Sequence, residues 1–118
     1  MNFIKWFKAQ WAWYNKKVMV QSVPSGELDD RSFIQYWEEN IHYSFDLSDY
    51  LCPATGLLCK REDLDGAHVK IVGDKENVIY ITAVHKSFNR SRSVLPFFVK
   101  RRFLVKAPKQ KAISPKKQ

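Results

Sequence analysis

The sequence predicts an α+β domain on three observations. Apolar residues recur at helical spacing before residue 42, two β-branched runs follow residue 64, and turn residues separate those runs. At 118 residues, 45% hydrophobic and 14% aromatic, the chain is sized for one domain with a modest core. In the first helical segment, Phe33, Ile34, Trp37 and Ile41 share one face, with Glu38 and Glu39 on the other side. Asp30 or Ser32 is placed to cap that helix, and "PSGELDD" before it is turn chemistry. "AHVKIV" reads as one strand, "GDKEN" as a hairpin loop and "VIYITAV" as a second strand. "HKSFNRSR" then forms a short helix rich in cations.

The flanks are less regular. Residues 17–23, "KVMVQSV", read as a short strand or extended arm. Upstream, Phe3, Phe7, Trp11 and Tyr14 follow an i, i+4, i+8, i+11 spacing, with Lys5, Lys8 and Lys16 off that face. Such a helix either packs on the core, using Trp for its large buried area, or lies on a membrane surface or docks a partner. After residue 92, "VLPFFVKRRFLVKA" is broken by Pro96. The part beyond Pro96 is expected to pack as a strand or short helix with its cations at the rim. The expected organisation is therefore one compact domain over 1–106: an aromatic helical half (1–49), a central core (50–92) and a packed basic segment (93–106). Residues 107–118, with two prolines and four lysines, form a basic tail expected to be disordered.

Charge is segregated along the chain. Residues 1–76 hold 9 Lys/Arg and all 12 Asp/Glu, whereas residues 77–118 hold 11 Lys/Arg and no acid. This asymmetry is the footprint of a polyanion binder. No apolar run approaches the roughly 20 residues of a membrane-spanning helix. The N-terminus lacks the apolar stretch of a secretory signal, so the expected compartment is the cytoplasm, with Cys52 and Cys59 reduced.

The stretch "CPATG…DGAHVKI…VIYITAVHKSFN" resembles the small HNH-endonuclease-like, treble-clef family over about residues 50–92. Members often show a "CPxCG" knuckle, a "DGAHV"-like strand, a "YIxPLCxxCN"-like strand and then a helix. The resemblance implies a structural zinc held by two Cys-x-x-Cys pairs, because Zn²⁺ takes four ligands at a tetrahedron's corners. Here those pairs fall on Cys52 with Thr55 and on His85 with Phe88. Cys52 and His85 stay in register, Cys59 is a stand-in, and His68 is a fourth candidate for a rearranged site. If packing has replaced the metal, Leu57, Leu58 and Phe88 are expected to fill the space.

The resemblance also implies a general base at His68, acting on water beside a Mg²⁺-type ion. The residue before it, usually a metal-binding Asp or His, is Ala67. Asp65 is expected to point to the face opposite Ala67. Asn89 matches the family's terminal Asn, a residue more often structural. His42 has no local partner constellation. The pattern is that of a degenerate member: a non-catalytic protein that binds DNA or RNA, or a nucleic-acid-handling complex. Arg90, Arg92, Lys100, Arg101, Arg102 and Lys106 would contact phosphates. By analogy of size and style alone it is similar to phage or mobile-element accessory proteins, including inhibitors of host defence. Two rival readings are a metal-dependent endonuclease using His68, with zinc or magnesium as cofactor, and a membrane-surface or protein-docking adaptor acting through the N-terminal aromatic helix.

Overall fold

The computed structural model describes residues 8, 9, 12–23, 30–41 and 50–108. Its strands are β1 (Lys17–Ser22), β2 (Leu64–Ile71), β3 (Ile79–His85), β4 (Phe97–Lys100) and β5 (Val105–Lys106). They form an antiparallel sheet in the order β4-β1-β2-β3-β5. Two helices accompany it, α1 (Asp30–Asn40) and α2 (Lys86–Arg90). Lys8, Ala9 and residues 12–15 are also helical. The rest of the expected N-terminal helix, the "HYSFDLSDY" loop through residue 49 and the tail from residue 109 lie outside the described residues.

The β2–β3 hairpin forms where β-branched runs flank turn residues. Its register is continuous from Leu64↔His85 to Lys70↔Ile79. Gly73 takes φ +84° in the turn, where a Cβ would be strained, and Asp74 Oδ1 accepts the Glu76 N–H at 3.1 Å. With no bulge in this register, side chains alternate strictly. Asp65 and Ala67 therefore share a face, which corrects the expectation that they oppose each other: residues two apart on a strand point the same way.

One face of β2 receives α1. Phe33, Ile34 and Trp37 are buried, as their spacing predicts. Burying side chains of this size contributes about 1.5–3 kcal/mol each. Glu38, on the polar side, pairs with Arg61 Nε at 2.6 Å. Gly66 is what allows the close seat, since a Cβ there would lie 2.6 Å from the Phe33 carbonyl carbon and 2.7 Å from the Ile34 nitrogen. Trp37 Nε1 donates to the Phe103 carbonyl at 2.8 Å, and the rings of Trp37, Tyr50 and Phe103 pack edge-on or tilted at 5.5–6.3 Å.

The segment after Pro96 does more than pack. It gives β4 at one edge of the sheet, a single 3₁₀ turn (Arg101–Phe103), then β5 at the other edge. Five flat strands would separate the edges by about 19 Å. The 3₁₀ residues advance only about 2 Å each, so the link is too short for a flat sheet and the sheet must curl. The inner face is the one carrying Val18, Val20, Ala67, Val69, Thr82, Val84, Phe97 and Val99, all buried. Helix α2 packs against this side, with Phe88 edge-on to Phe97 at 5.4 Å. The outer face carries α1 over β2 and β3 but leaves Met19 and Phe98 exposed on β1 and β4. Ala107 N–H donates to the Ile79 carbonyl at 2.9 Å, so the packed segment runs one residue past the expected start of the tail.

Candidate functional site

Residues 50–59 fold into a tight hairpin. Cys52 N–H donates to the Leu57 carbonyl at 2.8 Å, Cys59 N–H to the Tyr50 carbonyl at 2.9 Å, and Gly56 N–H to the Cys52 carbonyl at 2.8 Å. Gly56 turns the chain with φ +76°. Both cysteines are free and buried. Cys52 Sγ accepts the His85 backbone N–H at 3.3 Å, tying the hairpin to the start of α2, and the Cys59 thiol donates to the Leu57 carbonyl at 3.3 Å. Burial, with Cys52 beside it, pushes the Cys59 thiol up, which disfavours the thiolate that binds metals.

The remaining candidate ligands have other tasks. Thr55 Oγ1 accepts the Leu57 N–H at 3.2 Å inside the hairpin. His85 caps α2: its Nδ1 accepts the Ser87 N–H at 3.0 Å and lies 2.8 Å from Ser87 Oγ. Among the described residues no three His, Cys, Asp or Glu side chains gather into a metal-binding group. Of the three side chains expected to fill the space of a lost metal, only Phe88 packs on the core. Leu57 and Leu58 are 50% and 64% exposed, because the hairpin turns its cysteines inward and these leucines outward.

His68 and Asp65 are both buried, on opposite faces of β2. His68 lies on the α1 side, its ring edge-on to Phe33 at 4.3 Å. Asp65 lies on the α2 side, where its Oδ2 accepts Asn89 Nδ2 at 3.0 Å and sits 3.5 Å from Arg90 Nε. Asn89, singled out as structural, therefore locks α2 to the sheet. Asp65 itself shows no local signal in the sequence beyond being an acid inside a strand.

The six candidate phosphate contacts come from several elements. Arg90 and Arg92 lie on α2 and its exit, Lys100 on edge strand β4 and Lys106 on edge strand β5, all on the surface or half-buried. Arg101 and Arg102 were expected at an open rim. They are instead half-buried, their guanidinium groups over the rings of Trp13 at 4.9 Å and Phe103 at 4.8 Å. Lys17, from the half of the chain without excess positive charge, stands directly opposite Lys100 across β1 and β4. Sequence counting passed it over because pairing brings it there from 83 positions away. Compared with family models, curated proteins and solved structures, the chain matches none.

Proposed function

We propose that this protein binds nucleic acid, or a nucleoprotein assembly, without cutting it, on a core that resembles a degenerate HNH-like fold. The observation that carries the reading is the charge segregation: residues 77–118 hold 11 cations and no acid. The order of Cys hairpin, β-hairpin and short helix is the order the resemblance implies. Binding without cleavage is supported by the placement of His68. A base that activates water beside a metal needs an oxygen ligand on its own side of the sheet. Asp65 is on the other side, engaged with Asn89 and Arg90, and His68 is covered by Phe33.

The test is fluorescence anisotropy with labelled duplex DNA, single-stranded DNA and RNA at about 50 and about 200 mM salt, where phosphate contacts weaken steeply. Binding at low salt that falls with salt is expected, and His68→Ala should bind as the wild type does. Absence of binding at low salt defeats the reading. Cleavage of plasmid with Mg²⁺ or Mn²⁺ that disappears in His68→Ala restores the enzyme.

A further inference from the structure

Among the described residues, the outer face of the curled sheet carries α1 over β2 and β3 and leaves Met19 and Phe98 exposed on β1 and β4, while Gln21 Nε2 donates to the Val94 carbonyl at 2.7 Å. The exposed row there follows from the pleat. Lys17, Met19 and Gln21 point outward from β1, and Phe98 and Lys100 from β4. Met19 stands directly opposite Phe98, and Lys17 directly opposite Lys100. Lys70 of β2, opposite Gln21, closes the row on its other side. Phe98 is 55% exposed and Met19 37%. An aromatic ring thus lies bare in mid-strand, framed by lysines.

This arrangement is costly in the free protein. Like charges directly opposite on neighbouring strands destabilise a sheet, and an exposed Phe beside an exposed Met is apolar area left in water. Among the described residues none of Lys17, Lys70 and Lys100 has an ion-pair partner. Among the described residues, Asp74 and Glu76 on the β2–β3 turn form no ion pair with them. One class of ligand relieves both costs, a flexible polyanion that carries flat apolar rings.

We propose that the outer face of β1 and β4 binds single-stranded nucleic acid, with an unstacked base on Phe98 and the adjoining phosphates on Lys17 and Lys100. The proposal rests on the nucleic-acid reading above and narrows it. A duplex keeps its bases stacked and offers this face only phosphates, whereas a single strand can lay a base on the ring. Lys17 and Lys100 stand opposite each other, about 5 Å apart at Cα, and two residues, about 7 Å, along their strands from Met19 and Phe98, within reach of the phosphates on either side of a base laid on Phe98. Phe98 selects no particular base, because every base has a π-face, so modest sequence preference is expected.

The experiment measures binding of the full chain to labelled oligo-dT, oligo-U, an abasic strand of equal length and a duplex. Single strands are expected to bind more tightly than the duplex and the abasic strand. Phe98→Ala should weaken oligo-dT and oligo-U by between about 5- and about 150-fold while leaving the abasic strand unchanged, and Phe98→Tyr should restore binding. Lys17→Ala with Lys100→Ala should lower the log–log salt slope on single strands by about 1.4, and circular dichroism checks that each variant is folded. If the duplex binds but Phe98→Ala matches the wild type on every strand, this face is not the site and the broader reading survives. If an acidic protein binds and no nucleic acid does, both fall.

Discussion

Replacing Gly66 by Ala tests how α1 is seated. The added Cβ would lie 2.6 Å from the Phe33 carbonyl carbon, 2.7 Å from the Ile34 nitrogen and 2.8 Å from the Phe33 Cβ. Two of these atoms are helix backbone and the third is fixed to it, so no flexible side chain can swing away. Ordinary contact for such atoms begins near 3.4 Å, so α1 must lift by most of an ångström or β2 must bend. Overpacking of this kind costs about 1–3 kcal/mol, and the rigidity of the neighbours argues for the upper part of that range. Loss of the glycine's freedom in the unfolded chain returns about 0.4–1 kcal/mol. A net loss of about 2 kcal/mol is expected. With a urea dependence of about 1–1.5 kcal/mol/M, the midpoint should fall by about 1.5 M. Urea unfolding followed by circular dichroism and by Trp fluorescence gives the number. Gly56→Ala is the control: nothing lies within 4 Å of its Cβ, and only its φ of +76° opposes the change. A Gly66→Ala midpoint equal to or above the wild-type value would refute the close seating of α1 on β2, and with it the burial of His68.

Other outcomes follow from single contacts. Asp65→Ala removes the buried carboxylate that binds Asn89 Nδ2 and faces Arg90 and should cost about 1–3 kcal/mol, whereas Arg90→Ala should cost far less, its side chain being 64% exposed; urea midpoints of the two variants give the comparison. Trp37→Phe removes the bond to the Phe103 carbonyl and should cost about 1 kcal/mol by the same measurement. Burial holds the Tyr50 phenol well above its usual range, so the folded state keeps a proton that the unfolded state releases above pH ~10. Stability should therefore fall as pH rises past that point, by up to about 1.4 kcal/mol per unit, and this contribution should be missing in Tyr50→Phe when melting is followed against pH. Elemental analysis of purified protein is expected to give less than one zinc per chain, with the fold surviving chelation; stoichiometric zinc and unfolding on chelation would overturn that expectation.

Local elements were legible where one periodicity dominates. Phe33, Ile34 and Trp37 announce α1, and the two β-branched runs around Gly73 and Asp74 announce the hairpin. Long-range arrangement was not. Nothing in "FFVKRRFLVK" says that its two halves become the opposite edges of the sheet, because that choice belongs to their partners β1 and β3. The same gap explains the arginines. Arg101 and Arg102 look like rim cations in the sequence, but the turn between the edge strands lays them on Trp13 and Phe103. The candidate site fared likewise. His68 was visible as a histidine in a strand, but its cover by Phe33 depends on a helix more than thirty residues earlier.

That placement changes what a charge-removal experiment can mean. Arg101 and Arg102 combine two properties, positive charge and a flat surface packed on a ring, and alanine removes both. Stacking of this kind contributes about 0.5–1 kcal/mol per pair near the surface, so the double alanine variant should lose about 1–2 kcal/mol of stability whatever it does to binding. Arg92 and Lys106 are exposed, so Arg92→Gln with Lys106→Gln removes charge with little packing. If nucleic acid touches the surface around β5 and the α2 exit, the glutamine pair should lower the log–log salt slope on duplex DNA by about 1.8 with an unchanged melting temperature. Its affinity should drop alike on all sequences, since phosphate contacts carry no base information. The arginine pair should instead lower the melting temperature. The deciding measurement is the salt slope and the melt of both variants side by side. A glutamine pair with the wild-type slope would remove these two cations from the interface. An arginine pair that melts with the wild type would show that the two stacks do not hold the link between the edge strands.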